Sequence, residues 1–335
     1  MRFDESYPIS KMVKILLGMR AFLLALIMIL TTQGSYAQER IQRTTHHYAT
    51  HDTTELYLDL YQMSGHCGTE RRPCVIFMFG GGFVGGTRDN ESYAHYFETL
   101  ARAGITVVSI DYRLGLANIH NSNDMNIREM IGAMNNAVNI AVEDLYAATN
   151  YVLEHSDTWG VDREHIIISG SSAGAIATLQ AEWMLNNDDD RCSVLPEGFR
   201  YGGVIACAGA LFSTSGRPKF KGAAAPMLLF HGTSDSNVPY NKASMLGVGF
   251  YGSQYIIDEL DKQQSPYLFH SVKYADHSLA ITPLHDSLHL ILHFIDEYVV
   301  GGKRLRITSE VVNIDGAKHP TRFSVMDYLN ANYAR

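Results

Sequence analysis

His165-Ile166-Ile167-Ile168-Ser169 runs directly into Gly170-Ser171-Ser172-Ala173-Gly174, and a further apolar stretch continues to Leu185. The first five residues carry the continuous apolar pattern of a strand buried on both faces, and the stretch from Ala173 to Leu185 reads as a helix. A strand that turns into a helix within so few residues tolerates only small neighbours. It lifts its middle residue, Ser172, above the sheet in a strained conformation. The five-residue pattern G-x-S-x-G is a weak signal by itself in a glycine-rich chain; its place between strand and helix is what marks Ser172 as a candidate nucleophile.

Outward from this turn the same alternation repeats. Arg43 to His51 and Glu55 to Met63 read as a strand pair covering one sheet edge. Cys74 to Phe79 is a strand ending in Gly80-Gly81-Gly82. A helix over Glu91 to Ala103 leads to the strand Ile105 to Ile110, and a long helix covers Ala141 to Glu154. Beyond the serine turn come the strands Gly203 to Ala208, Pro226 to Phe230 and Leu268 to Tyr274, with helices near Gln254 to Gln264 and His285 to Val299. Strands separated by helices predict one α/β domain over residues 38–335, with a mostly parallel, doubly wound sheet and helices on both faces. Two stretches interrupt the alternation, Gly115 to Asn139 and Asn186 to Arg200. They read as long loops beside the ligand crevice, the acidic Asp188-Asp189-Asp190 as solvated surface and the methionines of the first as packing.

The N-terminus is of another kind. Lys11, Lys14 and Arg20 precede the ten-residue apolar run Ala21 to Leu30, and Ser35-Tyr36-Ala37 offers a small-x-small cleavage site. This pattern predicts a signal peptide over residues 1–37, since so short a run falls below the roughly 18 apolar residues of a membrane span. An exported product, periplasmic or secreted and without a stable membrane anchor, is expected. The leader carries four bases and two acids, so its removal takes the formal charge from −8 to −10. With 27 basic against 35 acidic residues and no basic cluster, a nucleic-acid partner is not expected. The four cysteines show no CxxC spacing. Cys67 with Cys74 is a candidate disulfide for an exported protein; Cys192 with Cys207 is another, although Cys207 is equally at ease as a free buried thiol.

Acyl transfer needs donors aimed at the oxygen that becomes negative, and backbone N–H groups serve best. The amide of Ala173 lies at the positive end of the following helix, and Gly81 and Gly82 lack side chains that would hold a substrate off. These three are the candidate oxyanion hole. The run G-G-G-F-V-G-G lacks the GxGxxG spacing of a dinucleotide site. The glycines 80–82, Asp111-Tyr112-Arg113-Leu114 after the next strand, and the Ser172 turn stand in an order that resembles the α/β-hydrolase superfamily, in particular esterases of the carboxylesterase and hormone-sensitive-lipase type. One departure is that those enzymes carry a histidine, which helps to order the oxyanion loop, where this chain has Phe79.

The resemblance implies the order serine, acid, histidine. It places the acid at Asp235, in His231-Gly232-Thr233-Ser234-Asp235, and the histidine at His277, after Tyr274-Ala275-Asp276. Asp276 neighbours His277, but adjacent side chains point apart, so Asp235 is the expected orienter. His231 reads as structural or pocket-lining, and Asp111 with Arg113 as an internal salt bridge bracing the sheet edge. His285, His289 and His293 are spaced four apart, yet read as surface or packing residues; no metal and no cofactor are expected. Residues 251–277 are similar to bacterial esterases acting on acetyl or feruloyl groups of plant polysaccharides, which implies a small-molecule or carbohydrate ester as substrate. A serine exopeptidase, and a non-catalytic hydrolase-like binding domain, are the alternatives. Oligomeric state is not legible.

Overall fold

A computed structural model of the chain describes residues 40–64, 71–117 and 126–314, with Lys318 and Thr321. The expected leader at 1–37 lies outside the described residues; the unit treated below begins at Ile41.

Twelve strands are described among these residues: β1 (Ile41–His51), β2 (Thr54–Met63), β3 (Arg72–Met78), β4 (Thr106–Ile110), β5 (Val161–Ser171), β6 (Gly203–Cys207), β7 (Ala210–Ser213), β8 (Met227–Gly232), β9 (Lys242–Met245), β10 (Val248–Gly252), β11 (Tyr267–Lys273) and β12 (Arg306–Val312). Nine form one sheet in the order β1-β2-β4-β3-β5-β6-β8-β11-β12. From β4 to β12 every neighbouring pair is parallel, while β2 runs antiparallel to β4 and β1 antiparallel to β2. The expected mostly parallel sheet is present, with its hairpin at one edge and helices on both faces. Ile166 to Ile168, Val204, Ile205 and Met227 to Phe230 have no exposed surface, as the apolar runs require of strands covered on both sides.

Six helices are described: α1 (Ala94–Arg102), α2 (Ile127–Trp159), α3 (Ala173–Asn186), α4 (Ser253–Lys262), α5 (Pro283–Asp286) and α6 (Leu288–Phe294). The helix α2 is longer than the helix expected over Ala141 to Glu154 and takes in most of the stretch Gly115 to Asn139 expected as loop. It begins at Ile127, where Asn126 and Glu129 form a reciprocal capping box, and ends at Gly160 in the left-handed conformation. Met134 is buried on its inner face. The C-terminal helix expected over His285 to Val299 is divided: α5 stops at Ser287, α6 follows, and Ile295–Val300 is a π-helical turn. That break separates His285 from the face carrying His289 and His293, and the His285 ring stacks on His95 of α1 (centroids 6.0 Å apart, planes 4° apart).

Two elements are not legible in the pattern. The strands β7, β10 and β9 make a second, antiparallel sheet, and β12 adds an exposed parallel edge beyond β11. The cysteine expectations are corrected: Cys74, Cys192 and Cys207 are free, and Cys67 lies outside the described residues. Burial pushes the Cys74 and Cys207 thiols far up, so they behave as small core hydrophobes. Among the described residues no helix is long and apolar enough to cross a membrane.

Candidate active site

The carboxyl ends of β3, β5, β8 and β11 lie on one side of the sheet, where open α/β folds place ligands. Each of the segments singled out in the sequence follows one of these ends: Gly80 to Gly82 after β3, Ser172 after β5, Asp235 after β8, His277 after β11.

Ser172 sits at φ 49°, ψ −114°, a conformation that L-residues rarely adopt. Its surroundings enforce it. A Cβ on Gly170 would stand 2.4 Å from the Gly174 carbonyl, and a Cβ on Gly174 would stand 2.2 Å from the Met78 carbonyl oxygen. Both glycines are therefore the condition for α3 to start directly over β3 and β5. The Ser172 N–H donates to the Cys207 carbonyl at 2.9 Å, fixing the turn to β6. Its neighbour Ser171, buried, donates its hydroxyl to the Ala280 carbonyl at 2.8 Å. Ala280 belongs to the short 3-10 turn His277–Ala280, so the serine turn and the histidine turn are tied by a buried bond.

Asp235 is 1% exposed. One carboxylate oxygen, Oδ1, accepts from the N–H groups of Asn237 and Val238, both at 2.9 Å; the other, Oδ2, accepts from His277 Nδ1 at 2.7 Å. Burial pushes the Asp235 carboxyl up, but the bonds from His231 and His277 outweigh it and hold the group well below the usual carboxylate range. Because Asp235 only accepts, His277 carries its proton on Nδ1. Its bare Nε2 faces Ser172 Oγ at 2.8 Å and is placed to take the hydroxyl proton.

Behind the carboxylate stands His231, fully buried. Its Nε2 lies 3.1 Å from the Val238 carbonyl and 3.4 Å from Asp235 Oδ2, and its Nδ1 lies 2.7 Å from Ser253 Oγ. A carbonyl can only accept, so Nε2 donates and Nδ1 receives the Ser253 hydroxyl. This histidine supports the acid turn and is structural, one of the two roles open to it in the sequence. Gly232 makes the approach of the histidine loop possible, since a Cβ there would stand 2.3 Å from the Ala275 carbonyl oxygen. Asp276 instead accepts from the Ser278 N–H at 3.0 Å, capping the short turn.

Gly81 and Gly82 are exposed at φ 136° and 64°, and a Cβ on Gly81 would overlap the Gly85 carbonyl. The Gly81 carbonyl accepts from Val84 and Gly85, closing a tight turn. Ala173 is the first residue of α3, where the N–H groups have no partner within the helix. The loop is anchored through Arg88, paired with Asp111 at 2.6 Å and Asp59 at 3.0 Å. Here too the expectation is corrected: Asp111 pairs with Arg88, whereas Arg113 pairs with Asp144 and Glu143 on α2. Both brace the sheet edge, but through neighbours far apart in sequence. Among the described residues no group of three or more His, Cys, Asp or Glu is placed to hold a metal.

Comparison with known proteins agrees with this architecture. The family BD-FAE, an α/β-hydrolase esterase family, matches residues 58–197. Esterase 2 of Thermogutta terrifontis, in its apo form, superposes with a TM-score of 0.56 at 22% identity, over 82% of this chain and 99% of that one, a likeness of fold. The chain has the α/β-hydrolase fold. Among curated relatives, Esterase LipI of Mycobacterium tuberculosis is 34% identical over 105 residues, 30% of this chain and 26% of its own length. Acetylcholinesterase of Gallus gallus is 27% identical over 120 residues, 36% of this chain and 14% of its own length. The chain thus spans about a quarter or less of the curated relatives it matches. The BD-FAE match of this α/β-hydrolase chain includes Gly81, Gly82, Ser172 and Ala173 and ends before Asp235 and His277, whose assignment rests on the bonds described above.

Proposed function

We propose that this chain is an exported serine hydrolase that cleaves carboxylic esters through an acyl-enzyme on Ser172. One observation carries the reading: Ser172 Oγ, His277 and the buried Asp235 are linked by bonds of 2.8 and 2.7 Å at a strained strand-to-helix turn. His277 Nε2 takes the hydroxyl proton as Oγ bonds to the acyl carbon, and Asp235 stabilises the resulting imidazolium. The oxygen that becomes negative is received by the amides of Gly81, Gly82 and Ala173. Collapse of the tetrahedral species breaks the bond to the alkoxy oxygen, which leaves with the proton from His277. A water, deprotonated by the same nitrogen, then releases the acid and restores Ser172.

Short acyl or feruloyl esters of carbohydrates are the proposed substrates. The BD-FAE match supports an ester as substrate, and the propionate- and butyrate-bound structures of Thermogutta terrifontis esterase 2 support the short acyl group. The leader-like N-terminus supports a periplasmic or secreted location.

The test is hydrolysis of p-nitrophenyl acetate, propionate and butyrate, a feruloyl ester and acetylated xylan by the wild type and Ser172→Ala, with phosphonate labelling of both. Activity and labelling lost in the variant are the expected result. A wild type inert toward every ester and unlabelled at Ser172 refutes the reading and brings the non-catalytic alternative forward; an inert but labelled one points to the exopeptidase.

A further inference from the structure

The oxyanion loop lacks the ordering histidine that the family resemblance implies, and Phe79 in its place has no polar side chain to replace it. We propose that Tyr93 and Tyr112 take over this task as positioning residues, gripping the Phe79–Gly80 peptide from its two edges and so aiming the Gly81 and Gly82 amides; the proposal rests on the serine-hydrolase reading above.

The geometry is specific. The Tyr112 hydroxyl donates to the Phe79 carbonyl at 2.8 Å, and the Gly80 N–H donates to the Tyr93 hydroxyl at 3.1 Å. That carbonyl and that amide are the two polar ends of one planar group. In a trans peptide they point in opposite directions, and no cis peptide bond is present among the described residues. The peptide therefore cannot turn about its flanking bonds without losing both hydrogen bonds together. Both tyrosines are buried, so neither bond is readily exchanged for water.

Each ring is itself fixed. Tyr112 stacks on Phe79 with centroids 4.5 Å apart and planes 27° apart, and Tyr93 lies against Phe77 at 4.7 Å. The residues on either side of Tyr112 are held by ion pairs, Asp111 to Arg88 and Arg113 to Asp144. The tetrapeptide singled out in the sequence thus serves the loop through its tyrosine, while its charged members hold the tyrosine's backbone. Burial also keeps the Tyr112 hydroxyl protonated far above the usual tyrosine range, so it remains a donor.

The grip also selects the donors. The Gly80 amide is spent on Tyr93, so the next amides along the loop, those of Gly81 and Gly82, are the ones left to face a substrate. An oxyanion donor acts only within about 2.7 to 3.1 Å of the developing charge, and tilting the preceding peptide carries the following amides out of that range.

Tyr93→Phe and Tyr112→Phe each remove one hydroxyl and keep the ring. With p-nitrophenyl butyrate as substrate, kcat is expected to fall about tenfold in each and about a hundredfold in the double variant, with KM within about twofold and the pH profile unchanged in shape. The inhibition constant of a trifluoromethyl ketone, which presents a tetrahedral oxyanion once Ser172 adds to it, should rise in parallel with the loss in kcat. A merely structural role would not couple those two quantities. Should Tyr112→Phe fail to fold, as judged by its melting transition, Tyr93→Phe decides alone. Folded variants with wild-type kcat, or with KM raised and kcat unchanged, overturn the grip while leaving the function intact. A wild type that is inert and unlabelled at Ser172 overturns the function, and the positioning role with it.

Discussion

Glu182 lies on α3, ten residues beyond Ser172, and is buried with one oxygen accepting from the Ala225 N–H at 2.9 Å and the other, Oε2, without a hydrogen-bond partner. Burial pushes its carboxyl up from the ordinary 4.5 to about 7, against the smaller opposing pull of the Ala225 bond and of Arg200. A carboxyl whose folded-state pKa is raised stabilises the fold fully below its unfolded value and loses that contribution as pH rises through the folded one. Between pH 5 and pH 8 the loss is therefore about 2.7 kcal/mol, since only the span from pH 5 to about 7, at 1.36 kcal/mol per pH unit, falls in that window. Glu182→Gln removes the titration. Its amide nitrogen inherits the unpartnered site of Oε2, a fixed cost of about 1 to 2 kcal/mol at every pH. The variant should then be less stable than wild type at pH 5 and slightly more stable at pH 8. Urea denaturation of both proteins at the two pH values, followed by tryptophan fluorescence, measures the difference of differences, in which every other titrating group cancels. A stability difference between variant and wild type that is the same at pH 5 and pH 8 refutes the argument that this carboxyl folds neutral.

Two further substitutions probe the site's frame. Gly174→Ala places a Cβ 2.2 Å from the Met78 carbonyl oxygen, a backbone atom in the central sheet that cannot step aside, so the variant should lose several degrees of Tm or fail to accumulate as folded protein, read by thermal denaturation. Asp235→Asn keeps the shape but offers its amide to His277, favouring the tautomer that cannot accept from Ser172; kcat should fall by about 10³ to 10⁴, read on a p-nitrophenyl ester. The same variant should flatten the stability profile in acid. A carboxyl held below its ordinary value of 3.8 contributes stability above that pH and loses it as pH falls further, and the amide has no such dependence.

The serine turn and the parallel sheet are readable because their signals are local: an apolar run, two glycines two residues either side of Ser172, a helix directly after. The capping box at Asn126 and Glu129 was equally local, but the asparagines and methionines around it disguised the first turns of α2 as loop. Other features could not be read because they join residues distant in sequence. Nothing near Asp111 announces Arg88 as its partner, nothing near Arg113 announces Asp144, and Ser171 shows its role only when Ala280 is brought over it. His231 stood out as a histidine beside the acid turn, yet its task depends on Ser253 and Val238 supplying a hydroxyl and a carbonyl at its two nitrogens. The small strands β7, β9 and β10 are four or five residues each, too short for a period to declare itself.

The bond from Ser171 to the Ala280 carbonyl turns the pairing of serine and histidine into a two-point mount. Residues 171 and 172, neighbours in the chain, engage the two ends of one short turn, Ala280 and His277, so that turn can neither slide nor pivot against Ser172 while the buried bond holds. The alignment of Ser172 with His277 is carried by a joint outside their own side chains. Neither bond of this mount involves Gly81 or Gly82, so a substitution at either glycine leaves the joint untouched.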